Sequence, residues 1–282
     1  MDTPAKPVLL KAAAFDLDDT LLRDDLSISA YTVDVFHRLS AAGFLLIAAS
    51  GRSEKSILPF VRRLGCICLY IACNGAEIYD GPTETLLHAE SFSTELALEI
   101  ADFGAEYDCY AQTYAGDKFY FNQYSEYATR YADASMLKGV YVGDLRKFIR
   151  EPRSKILMMA DEEQISRMLA AARQRFAGRA SVTCSKPYFL EFNPLLATKG
   201  IALAFAARRL GIRTDEIVAF GDSLNDLPML QAAGRSVVVA NGRPDVKPLC
   251  DEVCLSNQED GVARYLAEHF LSQHDLCGEV LP

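Results

Sequence analysis

The sequence predicts an α/β protein whose parallel sheet carries helices on both faces and is interrupted by an inserted α+β unit. Short apolar runs alternate with segments of helical periodicity near both ends of the chain, which is typical of a covered parallel sheet. Between about residues 90 and 190 this alternation stops and strand-like segments predominate, with nine of the thirteen tyrosines. We therefore expect a core made of 1–87 and 191–282 and an inserted unit at 88–190.

The first part of the chain alternates strands and helices. Three apolar runs predict strands: 8–15, 44–49 and 67–72. Two segments between them have apolar residues at helical spacing and predict helices: 31–42, which Gly43 stops, and about 53–64. Because the apolar runs are continuous rather than alternating, both faces of each strand are expected to be buried.

The inserted unit and the return to the core follow in order. Strands are predicted in the insertion at four places: 110–114, 119–121, 155–160 and 188–192. Helices are predicted there at about 93–107 and 162–176. The core then resumes with two helix–strand pairs: helix 199–210 with strand 216–220, and helix 227–233 with strand 237–240. This order predicts a helix-covered, largely antiparallel sheet set into a parallel one.

Composition excludes several classes of protein. Half of the 282 residues are hydrophobic and 24% are charged, as in well-packed globular proteins. A formal charge of -9 argues against a nucleic-acid-binding surface, which requires clustered Lys and Arg. The chain has no run close to the ~20 apolar residues of a membrane span, and Met1–Lys6 lacks the apolar segment of a signal peptide. We expect a cytoplasmic monomer or homodimer with no membrane or nucleic-acid partner.

The eight cysteines allow two interpretations, disulfides or a metal site, and the spacing favours neither. The sequence has no Cys-x-x-Cys and no accompanying His pair at zinc spacing. Several cysteines lie in apolar runs such as 66–71, where a free thiol behaves as a small hydrophobic side chain. We expect reduced thiols.

The segment Asp16-Leu17-Asp18-Asp19-Thr20, directly after the first predicted strand, is the strongest indication of chemistry. Carboxylates crowded at the end of a buried strand repel one another, and a cation, usually Mg²⁺, relieves the repulsion. Along an extended chain Asp16 and Asp18 project to the same side. Such a pair beside a cation suggests a nucleophile and a proton shuttle, whereas an isolated Asp-x-Asp is more often an acidic turn.

Polar residues at the ends of other predicted strands decide between these interpretations. Four of them directly follow apolar runs: Ser50, Asn74, Asp222 and Asn241. Lys199 opens a helix nearby. In an open parallel sheet, ligands bind beyond the carboxyl ends of the strands, so these side chains are expected to meet. Each signal alone has an ordinary explanation, a helix cap for Ser50 and a solvated side chain for Lys199. Together they predict one site.

In this order, the motifs resemble those of the haloacid dehalogenase superfamily of phosphatases. The four elements are Asp16–Thr20 (DxDDT), Ser50-Gly51-Arg52, the helix-opening Lys199, and Gly221–Asp226 (GDSxND). The insertion lies between the second and third elements. That placement, together with Asn74–Tyr79, Tyr188–Phe192 and Thr198-Lys199-Gly200, resembles the Cof-type branch. The resemblance spans residues 11–263. It implies a Rossmann-like, doubly wound core and identifies the insertion as an α/β cap of the C2B type.

The resemblance also implies a Mg²⁺-dependent phosphatase that works through an aspartyl-phosphate. Asp16 would be the nucleophile, and Asp18 would protonate the leaving group and then activate water. Mg²⁺ would be held by the Asp16 carboxylate, the Asp18 backbone carbonyl and Asp222, with Asp226 in support.

The same resemblance implies roles for the residues that hold the phosphate. Ser50 and Lys199 would hold phosphoryl oxygens, and Lys199 would also compensate the charge of Asp16. Three further residues would complete the phosphate site: Leu17, Gly51 and Asn225. Thr20 would orient the loop by hydrogen bonding.

The substrate is expected to be a small phosphorylated metabolite, and the cap leaves its identity open. The tyrosines suit stacking on the ring of a sugar, pyridoxal or flavin phosphate, and they equally suit a half-buried sheet. Lys186-Pro187-Tyr188 and Asp117-Lys118 are candidate contacts or solvated loops. Two other functions remain open: a phosphomutase on the same core, and a ligand-binding or regulatory protein without catalysis.

Overall fold

A computed structural model describes residues 9–271 and contains one eight-stranded and one six-stranded sheet. The first part of the chain forms five strands and two helices. In chain order they are β1 (Ala12–Phe15), α1 (Ala30–Ala41), β2 (Leu45–Ala49), α2 (Glu54–Leu64), β3 (Leu69–Ala72), β4 (Glu77–Asp80) and β5 (Leu86–Ala89). The three predicted strands and both predicted helices are confirmed, although β1 starts four residues later than expected. The hairpin of β4 and β5 was not predicted.

The inserted segment forms the six-stranded sheet and its helices. Its elements are α3 (Thr94–Glu106), β6 (Tyr110–Ala115), β7 (Lys118–Phe121), α4 (Glu126–Ser135), β8 (Lys138–Tyr141), α5 (Leu145–Phe148), β9 (Ile156–Met159), α6 (Glu162–Arg175), β10 (Ala180–Thr183) and β11 (Phe189–Pro194). The strand order is β10-β11-β9-β6-β7-β8, antiparallel except for the β7–β8 pair. We call this unit the cap.

The chain then returns to the first sheet, which completes the unit we call the core. Its remaining elements are α7 (Lys199–Leu210), β12 (Ile217–Gly221), α8 (Leu227–Ala232), β13 (Arg235–Val239), β14 (Glu252–Cys254) and α9 (Gly261–Phe270). The strand order is β14-β13-β12-β1-β2-β3-β4-β5. The first six strands are parallel, and the β4–β5 hairpin continues the sheet in antiparallel fashion.

Strand β1 lies inside the sheet between β12 and β2, and its side chains alternate between two apolar layers. Ala13 and Phe15 pack with side chains of α1, α2 and α9 on one face. Ala12 and Ala14 pack with side chains of α7 and α8 on the other face. All four residues are fully buried. Helices therefore cover both faces, which confirms the doubly wound core.

The cap joins the core through two connections, after β5 and after β11. β5 extends to Ala89 and β11 to Pro194, so both expected boundaries, at 87/88 and 190/191, fall inside strands. A strand keeps its ladder hydrogen bonds with its own sheet, and we therefore propose that the boundaries follow Ala89 and Pro194.

Two of the sequence predictions concern membrane-spanning segments and the state of the cysteines. Within residues 9–271, every helix is too short or too polar to cross a bilayer. The seven cysteines of that range are all free thiols. Cys277 and Met1–Lys6 lie outside the described residues.

Candidate active site

The site begins where β1 ends. Asp16 caps a helical turn, Leu17–Leu21, in which Asp19 takes a left-handed conformation with φ 59°. The chain from Asp16 to Asp18 therefore enters a turn, rather than continuing as the extended strand on which the expected alternation was based. The turn sends their carboxylates to different partners, although both residues line the same cavity.

Lys199 joins two carboxylates in the buried interior. Its ammonium donates to Asp16 Oδ1 and to Asp226 Oδ1, each at 2.5 Å, and the lysine is fully buried. Burial alone would lower the pKa of Lys199, but the two carboxylates raise it above its ordinary value. The lysine is therefore held charged beside the proposed nucleophile.

A close backbone approach fixes the start of α7, where this lysine lies. Gly75 has φ +111°, and a Cβ there would lie 2.5 Å from the Thr198 carbonyl oxygen. The turn after β3 can thus pack directly against the helix start only because residue 75 is glycine. The Thr198 hydroxyl caps the same helix by accepting the Ile201 N–H.

The loop after β12 is organised around Asp226. Its Oδ2 accepts the backbone N–H groups of Asp222 and Ser223, each at 3.0 Å, while Oδ1 takes the lysine. Asp222 Oδ1 accepts the Thr20 hydroxyl at 3.1 Å. Asp226 is therefore committed to ordering the loop, and the Asp222 carboxylate keeps acceptor capacity for another ligand.

Carboxylates outnumber cations at this point. Oxygens of Asp16, Asp222 and Asp226 lie within 4.8 Å of one another, and Lys199 supplies a single positive charge between them. Burial raises the pKa of Asp16 to about 8, with Lys199 opposing the shift. Burial and then the charges of Asp226 and Asp16 raise the pKa of Asp222 well above its ordinary value. A hard divalent cation with oxygen ligands fits this set, because it would neutralise the excess charge.

Asp18 is held by Arg52, whose role is not predicted by the sequence. Arg52 donates to both carboxylate oxygens of Asp18, at 2.8 and 2.7 Å, and also to the carbonyl of Ala134 at the end of α4. Burial raises the pKa of Asp18, but the ion pair with Arg52 outweighs burial and leaves the pKa below its ordinary value. The same guanidinium thus connects Asp18 with the cap.

The predicted phosphate-binding residues after β2 are close together. Ser50 is fully buried, and its oxygen accepts the Arg52 N–H at 3.1 Å. Among residues 9–271 its hydroxyl hydrogen has no acceptor, so it can donate to a ligand. Gly51 lines the cavity, and its carbonyl accepts the Lys155 ammonium at 2.7 Å.

A buried polar network runs from this point into the cap. Lys155, just before β9, also donates to Glu191 on β11 at 2.5 Å, and both side chains are 3% exposed. Asn74 donates to Glu191 and to Asn193, and its own oxygen accepts the Asn225 side chain at 3.1 Å. The network therefore links the second acidic loop, the turn after β3 and two cap strands.

The cavity between core and cap has a volume of about 280 Å³. Five of the residues predicted for the site line it: Asp16, Asp18, Gly51, Asp222 and Asn225. The others lie behind this lining: Leu17, Thr20, Ser50, Lys199 and Asp226. Asn241 belongs with neither group, since its side chain donates to the Asp19 carbonyl. Lys186 and Tyr188 line the cavity, whereas Asp117 and Lys118 do not.

Three residues of the site had no role predicted from the sequence. The sequence indicated them to different degrees. Glu191 is an acidic residue within the apolar strand 189–192, which indicates a buried partner. Arg52 directly follows Ser50-Gly51, so its position was a signal. Lys155 had no signal, because its partner Glu191 lies 36 residues away.

Known proteins share this architecture. A family model described as haloacid dehalogenase-like hydrolase matches residues 13–266. An HMP-PP phosphatase of Serratia proteamaculans is 28% identical over 269 residues, which cover 93% of this chain and 96% of that protein. A 5-amino-6-(5-phospho-D-ribitylamino)uracil phosphatase, YitU of Bacillus subtilis, is 28% identical over 271 residues, covering 94% and 98%. A solved haloacid dehalogenase-like hydrolase from Bacteroides thetaiotaomicron has a TM-score of 0.82 at 27% identity, covering 93% and 100%.

Proposed function

The chain belongs to the haloacid dehalogenase-like hydrolase family and is a phosphatase of that family, and from this premise we propose that it removes phosphate from small phosphorylated metabolites through an aspartyl-phosphate. The observation that carries the proposal is the Asp16 carboxylate. It lies at the end of β1, lines the cavity and is paired with the buried Lys199. The two relatives named above are phosphatases of HMP-PP and of 5-amino-6-(5-phospho-D-ribitylamino)uracil, which supports a small-molecule substrate.

In the first step, Asp16 forms the covalent intermediate. A carboxylate oxygen of Asp16 attacks phosphorus, the bond from phosphorus to the leaving oxygen breaks, and Asp18 gives that oxygen a proton. Lys199 stays charged and holds Asp16. The Ser50 hydroxyl and the N–H groups around Gly51 would donate to the phosphoryl oxygens. For its proton transfer, Asp18 must exchange its contact with Arg52.

In the second step, water regenerates the enzyme. Asp18 takes a proton from water, the water oxygen bonds to phosphorus, and the bond between phosphorus and Asp16 breaks, releasing phosphate. Asp16, Asp222 and the Asp18 backbone carbonyl would hold Mg²⁺, which when bound neutralises charge between carboxylate and phosphate. Asp226 and Thr20 would keep Asp222 in position.

Trapping the intermediate tests this mechanism. The enzyme is mixed with Mg²⁺ and acetyl phosphate that carries a radiolabel on phosphorus. The reaction is quenched in acid and assayed for label on the protein and for released phosphate. We expect Asp16→Asn to carry no label and to lose turnover by about 10⁴-fold or more. Asp18→Asn should still become labelled, because acetate leaves without a proton, but should lose the label slowly.

The matched control is Asp34→Asn, which removes an exposed carboxylate of α1 that pairs with Arg38 and does not line the cavity. It should behave as the unmodified protein. Full labelling of Asp16→Asn, or equal turnover in both variants, would show that Asp16 is not the nucleophile.

A further inference from the structure

The cap side of the cavity is lined largely by rings and apolar side chains. Six residues form this wall: Tyr127, Tyr131, Leu157, Met159, Tyr188 and Phe189. Leu157 and Met159 are buried strand residues of β9, and the rings come from α4 and from the start of β11. Only three of the nine cap tyrosines line the cavity, so most of the tyrosine content serves the cap's own packing.

The rings of this wall are held in place by neighbours in the cap. The Tyr131 ring meets Phe119 edge to face at 5.1 Å, and Tyr127 lies 6.1 Å from Tyr110. The Tyr131 hydroxyl accepts a hydrogen bond from Tyr114 at 2.6 Å. Because these rings are already ordered, binding a flat partner against them costs little side-chain entropy. Within residues 9–271 the Tyr131 hydroxyl hydrogen has no acceptor and can serve a ligand heteroatom.

Charges around the cavity are paired. Five cationic side chains line it, and each contacts a carboxylate: Arg23 with Asp260, Arg52 with Asp18, Arg130 with Glu126, Lys155 with Glu191, and Lys186 with Asp19. Six acidic residues also line the cavity. While these ion pairs are intact, the described lining offers no surplus positive charge to a second anionic group on the substrate. It also leaves few uncommitted polar side chains for the several hydroxyls of a sugar.

The volume of the cavity in this arrangement of core and cap favours a small ligand. At about 280 Å³ it lies just below the roughly 300–1,000 Å³ typical of ligand pockets. A phosphate and one ring suit this space better than a fused three-ring system or a dinucleotide.

We infer that the cavity selects phosphate monoesters whose leaving group is a single uncharged aromatic ring, seated against Tyr127, Tyr131 and Tyr188. This inference rests on the proposed phosphatase function and adds the substrate class. The sequence left sugar, pyridoxal and flavin phosphates as possible substrates. The inference distinguishes among them, because it predicts that a phosphate with one aromatic ring is a better substrate than a sugar phosphate or a flavin phosphate.

Two esters of equal size test the role of aromaticity. Benzyl phosphate and cyclohexylmethyl phosphate share the phosphate and the apolar bulk and differ in the planar π-system. We expect kcat/KM for benzyl phosphate to be about tenfold higher, since aromatic contacts add to area burial. Glucose 6-phosphate and flavin mononucleotide should both be poorer substrates than benzyl phosphate. Acetyl phosphate, which has no ring, reports the phosphatase reaction itself.

Substitutions in the cap wall of the cavity test which residues cause the preference for benzyl phosphate. Tyr127→Leu and Tyr188→Leu keep apolar bulk and remove a ring, and each should lower the benzyl-to-cyclohexylmethyl ratio about threefold. Tyr124→Leu is the matched control, because Tyr124 is a 78% exposed cap tyrosine outside the cavity, and its ratio should not change. Circular dichroism checks that all three fold.

The outcomes separate this inference from the function on which it rests. Turnover of acetyl phosphate with no preference for benzyl over cyclohexylmethyl phosphate, or with glucose 6-phosphate ahead of both, overturns the ring inference alone. Failure to hydrolyse any of the four esters or acetyl phosphate contradicts the proposed phosphatase function.

Discussion

Asp16 shows how burial and charge compete at a single residue. Its desolvation disfavours the anion, Lys199 opposes that effect, and the carboxylates of Asp226 and Asp18 add to it. A raised pKa works against a nucleophile, which reacts as the anion. A divalent cation among Asp16, Asp222 and Asp226 would oppose this effect, and the site is therefore expected to bind metal even without substrate.

Metal binding should be visible as stabilisation. Because a ligand that binds only the folded state stabilises it by mass action, Mg²⁺ at 100 times its Kd should add about 2.7 kcal/mol to the free energy of unfolding. Thermal unfolding followed with and without Mg²⁺ measures this. Asp222→Asn should lose most of the shift, and Asp34→Asn should retain it. A shift of equal size in Asp222→Asn would exclude Asp222 as a ligand.

At the scale of elements, the Lys155–Glu191 pair connects adjacent cap strands with the loop after β2. Glu191 on β11 lies opposite Leu157 of β9, and Lys155 reaches from the start of β9 to the Gly51 carbonyl. Removing one member of a buried pair leaves the other charge without compensation, whereas replacing both by apolar residues is often neutral. The contribution of this pair to the stability of the protein can therefore be separated by experiment from its role in holding the Gly51 carbonyl.

Glu191→Gln should destabilise the protein by about 3–5 kcal/mol, because the Lys155 ammonium loses its counter-charge in a buried place. The double variant Lys155→Met/Glu191→Leu should recover most of that stability in urea denaturation. Its kcat/KM should nevertheless stay low, since the Gly51 carbonyl is no longer held.

The exposed pair Arg175–Glu106 is the control for the double variant, and its removal should change stability by no more than about 1 kcal/mol. Wild-type kcat/KM in Lys155→Met/Glu191→Leu would show that the pair serves packing alone.

The elements themselves were predictable to different degrees. The wholly apolar strands β2 and β12 and the helix α7 were predicted nearly to their ends, because their hydrophobic pattern is set locally. The half-exposed strands β4 and β5 and the short helix α5 were not, since their patterns are weak and neighbours in the sheet decide their structure.

At the scale of the whole molecule, core and cap contact each other at the site mainly through polar groups. Arg52 bonds the Ala134 carbonyl, Lys155 the Gly51 carbonyl, and Lys186 the Asp19 carboxylate. Polar interfaces of this kind permit relative motion, and motion of the cap would admit substrate and then exclude water.

We expect a phosphoryl mimic to compact the molecule. Small-angle scattering with Mg²⁺ and beryllium fluoride should give a smaller radius of gyration than with Mg²⁺ alone, because the mimic on Asp16 draws cap groups toward the core. Asp16→Asn, which cannot carry the mimic, is the control. The same radius in both conditions for the unmodified protein would argue for a fixed cap.

The α/β class, the inserted unit, the family and the residues proposed for the chemistry could all be predicted from the amino-acid sequence. These features rest on local hydrophobic patterns and short motifs, which survive without knowledge of distant contacts. The partners of the carboxylates are known from the three-dimensional arrangement alone: Lys199 for Asp16, Arg52 for Asp18, and both Lys199 and its own loop for Asp226. It also revealed Lys155 and selected three cavity tyrosines, because burial and ion pairing join residues far apart in the chain.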